Sequence, residues 1–266
     1  MTDAIPGNSL VGYGPEPPAV RWPGGALVAI SLVIGYEAAD GYGARVGIWR
    51  LCRLIDRYRI PVTVAASGRE LERNPPLCAW VGDHGHDVLG RHESGWGSGL
   101  TREQERAEIG TGVAATERAT GRRPRGWLAR HAATRELLAE EGGFWYASGP
   151  ADDELPYYVT DQGRPFLVVP GLHDDAQLPQ LVSPRHFGEG LQMSLDYLLD
   201  EARSGPGGRM MSVEVHAGHS GQPGPASALC GFIEYAQAQP EVAFLRRADI
   251  ATCWLDSFPA SARPSA

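Results

Sequence analysis

Four apolar runs in this sequence end in side chains able to move protons or hold charge. Leu27 to Gly35 gives way to Tyr36 and Glu37. His86 to Gly90 gives way to Arg91, His92 and Glu93, with Trp96 four residues past the histidine. Arg125 to Ala129 is followed by Arg130 and His131, and Arg209 to His216 carries Glu214 and His216 within its own length. Carboxylates and imidazoles are the groups that act as general bases and acids near neutral pH, and a guanidinium can polarise a carbonyl. In MMSVEVH, period-two alternation puts Ser212, Glu214 and His216 on one face and Met211, Val213 and Val215 on the other. With both faces covered, Glu214 is either an acid or base tuned beside His216, or a structural carboxylate bonded to an arginine or hydroxyl. Three further sets carry less. His84 and His86 flank Gly85 at a surface turn. His173-Asp174-Asp175 is a metal-binding group or a polar turn, read as a loop bordering the site. His216 and His219 form H-x-x-H on a loop, with His219 facing substrate or solvent.

These groups work together only if the chain brings the ends of several strands to one place. The run at Leu27 to Gly35 is almost wholly apolar, which fits a central strand covered on both faces. Arg45 to Tyr58 has apolar residues at 48, 51, 54, 55 and 58, the spacing of a helix with one apolar stripe. Further strands are expected at Pro61 to Ala66, His86 to Gly90, Arg125 to Ala129, Phe144 to Ala147, Pro165 to Val169, Arg209 to His216 and Val242 to Leu245. Helices are expected from Pro75 to Asp83 with Asn74 as N-cap, and from Thr101 to about Gly121 with Gln104 completing a capping box. Others are expected at Thr134 to Glu141, Pro184 to Arg203, Ser227 to Gln239 and Ala248 to Asp256. This alternation without a break in composition indicates one parallel α/β domain, a barrel or a doubly wound sheet. In such folds the C-terminal strand ends converge on one mouth. Residues 1–24 read as an arm around a 25–256 domain, and 257–266 as a frayed tail.

The formal charge of −8 over 266 residues offers no basic surface for nucleic acid or anionic lipid. No apolar run is long enough for a membrane span, and MTDAIPGNSL has no signal-peptide pattern. The four cysteines are far apart with no C-x-x-C pair, which reads as reduced core thiols of a cytoplasmic protein. No dinucleotide fingerprint, phosphate loop or nucleophile elbow is present.

The stretches LVAISLVIGYE, RVGIWRLCRLIDRYRIPVTV, LERNP, GHDVLGRHESGW, TGRRPRGWLAR, EEGGFWYAS, DDELPYY, LVVPG, MMSVEVH and RRADIATCW follow one another in an order that resembles the polysaccharide deacetylase (NodB-like, carbohydrate esterase 4) superfamily. The similarity spans about Gly12 to Leu255 and is strongest to the branch with the metal-independent allantoinases. The resemblance implies a single-domain distorted (β/α) barrel. Metal-dependent members hold a divalent ion through a strand-one Asp and two histidines four apart. Here Ala38 stands for the acid, His92 for the first histidine and Trp96 for the second, so no metal and no other cofactor is expected at that position.

The branch usually carries Asn-Tyr-Glu-Glu-Gly on strand one, where this chain has Gly35-Tyr36-Glu37-Ala38-Ala39, and a small residue where Glu214 stands. These departures imply a substrate other than allantoin. The expected activity is metal-independent hydrolysis of a C–N bond in a small, cyclic amide, imide or ureide. The alternatives are non-hydrolytic acid/base chemistry (isomerase, cyclase or lyase) and a ligand-binding homologue without catalysis. In the hydrolytic reading Glu37 and His216 handle protons, Glu214 sets the charge of His216, and His92 and Arg130 hold the carbonyl. Trp96 walls the pocket, and Tyr36, His131 and His219 contact substrate. The expected partners are a small-molecule substrate and further copies of this chain in a homo-oligomer, with no nucleic acid and no membrane.

Overall fold

β1 (Val28–Gly35) is the strand around which the sheet is laid out. The computed structural model describes residues 12–93, 99–161, 164–171, 173–175 and 183–260, so Trp96 lies outside the described residues. A π-helical turn at Gly43–Gly47 leads into α1 (Ile48–Tyr58), followed by β2 (Thr63–Ala66), α2 (Gly68–Glu72), α3 (Pro75–Asp83) and β3 (Asp87–Gly90). Then come α4 (Arg102–Thr120), β4 (Gly126–Leu128), α5 (Ala132–Glu141), β5 (Tyr146–Ser148), β6 (Tyr157–Asp161), β7 (Arg164–Val169) and β8 (His173–Asp174). The chain closes with α6 (Pro184–Ser204), β9 (Arg209–His216), α7 (Pro223–Gln237), β10 (Val242–Phe244) and α8 (Arg247–Ser257).

The strands form one curled sheet in the order β6-β7-β5-β4-β3-β2-β1-β9-β8, parallel except for the β6–β7 pair. β1 pairs along its full length with β9, in the register Val33 to Glu214 and Gly35 to His216. On its other side it is shared: the first half pairs with β10 and the second half with β2. That arrangement requires β1 to be apolar on both faces. Val28, Ile30, Leu32 and Ile34 pack outward into a cluster with α1, α6 and α7, while Ala29 and Val33 pack inward with Ala65, Leu89, Tyr146, Met210 and Trp254. The inner cluster fills the barrel floor and leaves the C-terminal strand ends as its open mouth. No helix among the described residues is long and apolar enough to cross a membrane.

The caps form as their residues dictate. Asn74 accepts from the Leu77 amide, and Thr101 and Gln104 make a reciprocal capping box. Three elements go beyond the sequence expectations. α2 starts at a Ser67/Glu70 capping box, β6 makes the antiparallel edge hairpin with β7, and β8 lies beside β9 where a loop was expected. α7 begins at Pro223, four residues before the expected start at Ser227, with the proline in its first turn. The described part of the N-terminal arm is pinned by Trp22, whose Nε1 donates to the Arg209 carbonyl at 2.7 Å. At the other end, Phe258 of the expected frayed tail packs against Trp254, with ring centroids 4.7 Å apart and planes tilted by 46°.

Candidate active site

A pocket of about 530 Å³, counting its open mouth, sits at the C-terminal end of the barrel. β1 and its extension contribute Val33, Gly35 and Glu37, β2 contributes Ala65, the end of β3 Arg91, β4 Leu128, and β9 Glu214 and His216. Each of these residues has the strand parity that faces the barrel interior. Ala29, Ala65, Leu89 and Met210 belong to the inner cluster, and the lining residues lie an even number of positions from them or from a register partner. Parity therefore decides which of two adjacent polar residues reaches the pocket.

On β1, Glu37 points inward and is exposed at the mouth, and no hydrogen bond or ion pair reaches its carboxylate among the described residues. Tyr36 points the other way. Its ring is buried in the outer cluster and its hydroxyl accepts from Asn74 Nδ2 at 3.0 Å, so the expected substrate contact is instead a core residue.

The same rule reverses the expectation at the end of β3. Leu89 faces inward, so Arg91 does too, and His92 turns away. His92 is buried beneath α4, with Nε2 at 3.3 Å from Glu105 and its ring edge-on to Trp127. Burial pulls its pKa down against the opposing pull of Glu108 and Glu105. It does not line the pocket, and Arg91 does. The Arg91 guanidinium is anchored by Nη2, which donates to both Glu70 oxygens at 2.8 Å and to the Tyr36 carbonyl at 3.2 Å.

On β9 the expected alternation holds. Glu214 and His216 both reach the pocket. His216 Nδ1 lies 2.7 Å from Asp175 Oδ1, and Asp175 is fully buried. The hydrogen bond commits Nδ1 and leaves Nε2 as the ring nitrogen available to a ligand. The ring lies against Gly35, where a Cβ would come within 2.6 Å of Cδ2, so this position excludes a side chain. Burial alone would lower the His216 pKa. The hydrogen bond and charge of Asp175, then the charges of Asp174 and Glu214, outweigh it and raise the pKa. Asp175 is thus the main partner of His216 and Glu214 a lesser one, the reverse of the sequence expectation. The His173-Asp174-Asp175 stretch was the available signal, but only the pairing of β8 with β9 brings it to His216.

Glu214 is held by Arg247, a fully buried arginine at the start of α8. Arg247 Nη2 donates to Glu214 Oε1 at 3.3 Å and to Ser212 Oγ at 2.5 Å, and Nη1 donates to the carbonyls of Val169 and Pro170. The reading of Glu214 as a carboxylate bonded to an arginine and the reading as a pocket group both apply, to different oxygens. Its Oε2 lies 4.0 Å from Arg130, which also stands 3.6 Å from Asp174 at the rim. His131 is exposed at the N-cap of α5 and does not line the pocket. His219 sits behind His216, with Nδ1 at 3.6 Å from Asp175 Oδ1.

No protein-family model matches the chain. A curated protein of Schizosaccharomyces pombe (strain 972 / ATCC 24843), "Putative polysaccharide deacetylase", is 27% identical over 251 residues, covering 84% of this chain and 77% of that protein. Among solved structures, the PuuE allantoinase superposes with a TM-score of 0.88 at 29% identity, over 97% of this chain and 100% of that one. The "probable Polysaccharide deacetylase from Pseudomonas aeruginosa PAO1" superposes with a TM-score of 0.87 at 30% identity, over 96% and 100%.

The divalent ion used by metal-dependent relatives does not fit the equivalent residues. Ala38 has no side-chain oxygen to offer, and its backbone N–H donates to Glu70 Oε1 at 3.0 Å. The side chain entering the pocket from β3 is a guanidinium, and a fixed cation opposes a second one. His92, the one imidazole of the pattern, faces α4.

Proposed function

This chain belongs to the polysaccharide deacetylase superfamily, and on that footing we propose that it is a metal-independent hydrolase of a C–N bond in a small amide, imide or ureide. The observation that carries the reading is one pocket lined by a carboxylate without a partner among the described residues, an imidazole held by a buried carboxylate, and an arginine. Glu37 takes a proton from water as its oxygen attacks the carbonyl carbon. The negative charge that develops on the carbonyl oxygen is met by Arg91. His216 then gives its Nε2 proton to the leaving nitrogen as the C–N bond breaks, and Asp175 stabilises the charged imidazolium before transfer. The products are an acid and the released N–H group: an amine from an amide, and an amide or urea from an imide or ureide.

Two features weigh against non-hydrolytic acid/base chemistry as the first choice. Glu214 has one oxygen tied to Arg247, and His219 lies outside the lining, so neither adds a free proton carrier beside the substrate. Turnover in H₂¹⁸O separates the two classes: hydrolysis puts solvent oxygen into the acid product, and isomerisation or cyclisation does not. Glu37→Gln is expected to lower turnover by about 10²- to 10⁴-fold, with thermal stability unchanged because the side chain is exposed. Turnover at the wild-type rate in Glu37→Gln, or product free of ¹⁸O, sinks the proposal.

A further inference from the structure

The loop after β9 holds an arrangement that the reaction above uses only in part. Asp175 is fully buried, and its Oδ2 accepts two backbone amides, from His216 at 2.8 Å and from Ser220 at 3.1 Å. Those bonds turn Oδ1 toward two imidazoles. His216 Nδ1 lies 2.7 Å from it and His219 Nδ1 lies 3.6 Å from it. The turn that brings the second ring round is closed by the amides of His219 and Ser220, which both donate to the His216 carbonyl. Although the His219 side chain is 44% exposed, its Nδ1 is buried and makes no hydrogen bond among the described residues. The Asp175–His216 hydrogen bond accounts for one ring and leaves the other with an orphaned nitrogen aimed at the same oxygen. A buried polar atom left in this way is unfavourable unless something binds it.

We infer that Asp175, His216 and His219 form a binding site for a divalent transition-metal ion of the zinc class, separate from the position at which metal-dependent relatives hold theirs. The three side chains offer one ligand atom each, all within 4.8 Å of one another. Two imidazole nitrogens and one carboxylate oxygen are the donor set that zinc, cobalt and nickel accept. The 3.6 Å between His219 Nδ1 and Asp175 Oδ1 is close to the roughly 3.4 Å between two ligands each about 2.0–2.1 Å from a tetrahedral ion. The His216 contact, at 2.7 Å, must open by about 0.7 Å to reach the same span. Asp174 Oδ1, 3.5 Å from His216 Nδ1, is in reach as a fourth donor. The exposed edge of His219 gives the ion a way in.

An ion on His216 Nδ1 replaces the proton that Asp175 holds there. Metal binding and the Asp175–His216 hydrogen bond are therefore mutually exclusive, and under the proposed reaction a bound zinc ion blocks turnover. Only that consequence rests on the proposed reaction; the binding itself does not.

The test uses the full chain, stripped of metal with a chelator and titrated with Co²⁺ by equilibrium dialysis and visible absorption. The expected result is one Co²⁺ per chain, with the strong bands of a tetrahedral ion and displacement by Zn²⁺. His219→Gln should weaken binding by about tenfold or more with an unchanged melting curve, and His186→Gln on α6 should bind like the wild type. Asp175→Asn also disturbs the two backbone amides, so the His219 variant carries the test. Absence of saturable binding, or unchanged affinity in His219→Gln, overturns the inference. No substrate enters the titration, so such a failure leaves the hydrolytic reading intact, and Glu37→Gln must bind Co²⁺ like the wild type whatever its turnover.

Discussion

Asp175 decides what His216 can do. By occupying Nδ1 it assigns Nε2 to the pocket, and by its charge it favours the protonated ring against burial. A histidine whose pKa is raised keeps its proton to higher pH. A reaction that needs the imidazolium is then lost as the pH rises through that raised value. Asp175→Asn removes the hydrogen bond to an anion and the nearest negative charge and leaves burial, which acts the other way. The alkaline limb of the turnover profile should move to lower pH, with turnover at neutral pH down by roughly 10²-fold. A limb that stays in place would assign it to another group. Neither Asp175 nor Arg91 could be selected from the sequence with certainty. Asp175 stands in a polar triplet with no periodicity, and Arg91 adjoins a histidine that looks the better catalyst.

At the scale of elements, strand parity does the sorting. The ends of β1 and β3 each carry two or three polar residues in a row, and one turns to the pocket while its neighbour turns to a helix layer. The pairs Glu37 and Tyr36, and Arg91 and His92, are both divided in this way. The alternation in MMSVEVH is readable because five residues of known polarity surround Glu214. At the end of β3 the run is too short to fix the phase, which is why His92 was expected in the pocket. α8 contributes a group that no local pattern places there: the first residue of that helix, Arg247, reaches under the floor of the pocket to Glu214. Arg247→Met should destabilise the fold by about 3–5 kcal/mol, because it takes from a largely buried carboxylate its one fully buried partner among the described residues and leaves only the more distant, half-exposed Arg130. Adding Glu214→Gln should recover part of the loss. Urea unfolding of both variants measures it, and equal stability of the single variant and the wild type would show that Glu214 is solvated.

For the molecule as a whole, the two ends of the barrel respond differently to pH. At the end opposite the pocket, burial lowers the pKa of His86 to about 4, with His84 adding to the shift, and burial raises that of Asp87 to about 6. For His86 the unfolded chain binds the extra proton between its ordinary value and about 4, so stability falls as the pH drops through that window. For Asp87 the folded chain holds the extra proton, so stability falls as the pH rises through about 6. The two neighbours offset one another across mildly acidic pH. Asp87→Asn removes one side of the balance, and the variant should lose stability on acidification from pH 7 to 5 more steeply than the wild type. Thermal melts across that range measure the difference, and parallel curves would refute the opposed titrations.

What the sequence determined by itself was the architecture and three of the side chains that line the pocket. A central strand apolar on both faces, helices with one apolar stripe, and caps at Asn74 and Thr101 are local properties, and each formed as its residues dictate. Glu37, Glu214 and His216 were legible because they end or interrupt apolar runs of definite period. What only the tertiary structure decided was the partner of each. Asp175 meets His216 because β8 pairs with β9, Arg91 enters the pocket because β3 takes one phase and not the other, and Arg247 meets Glu214 because α8 packs across the barrel floor. Those contacts join residues distant in the chain. Their energies depend on burial and distance, which no local pattern in the sequence encodes.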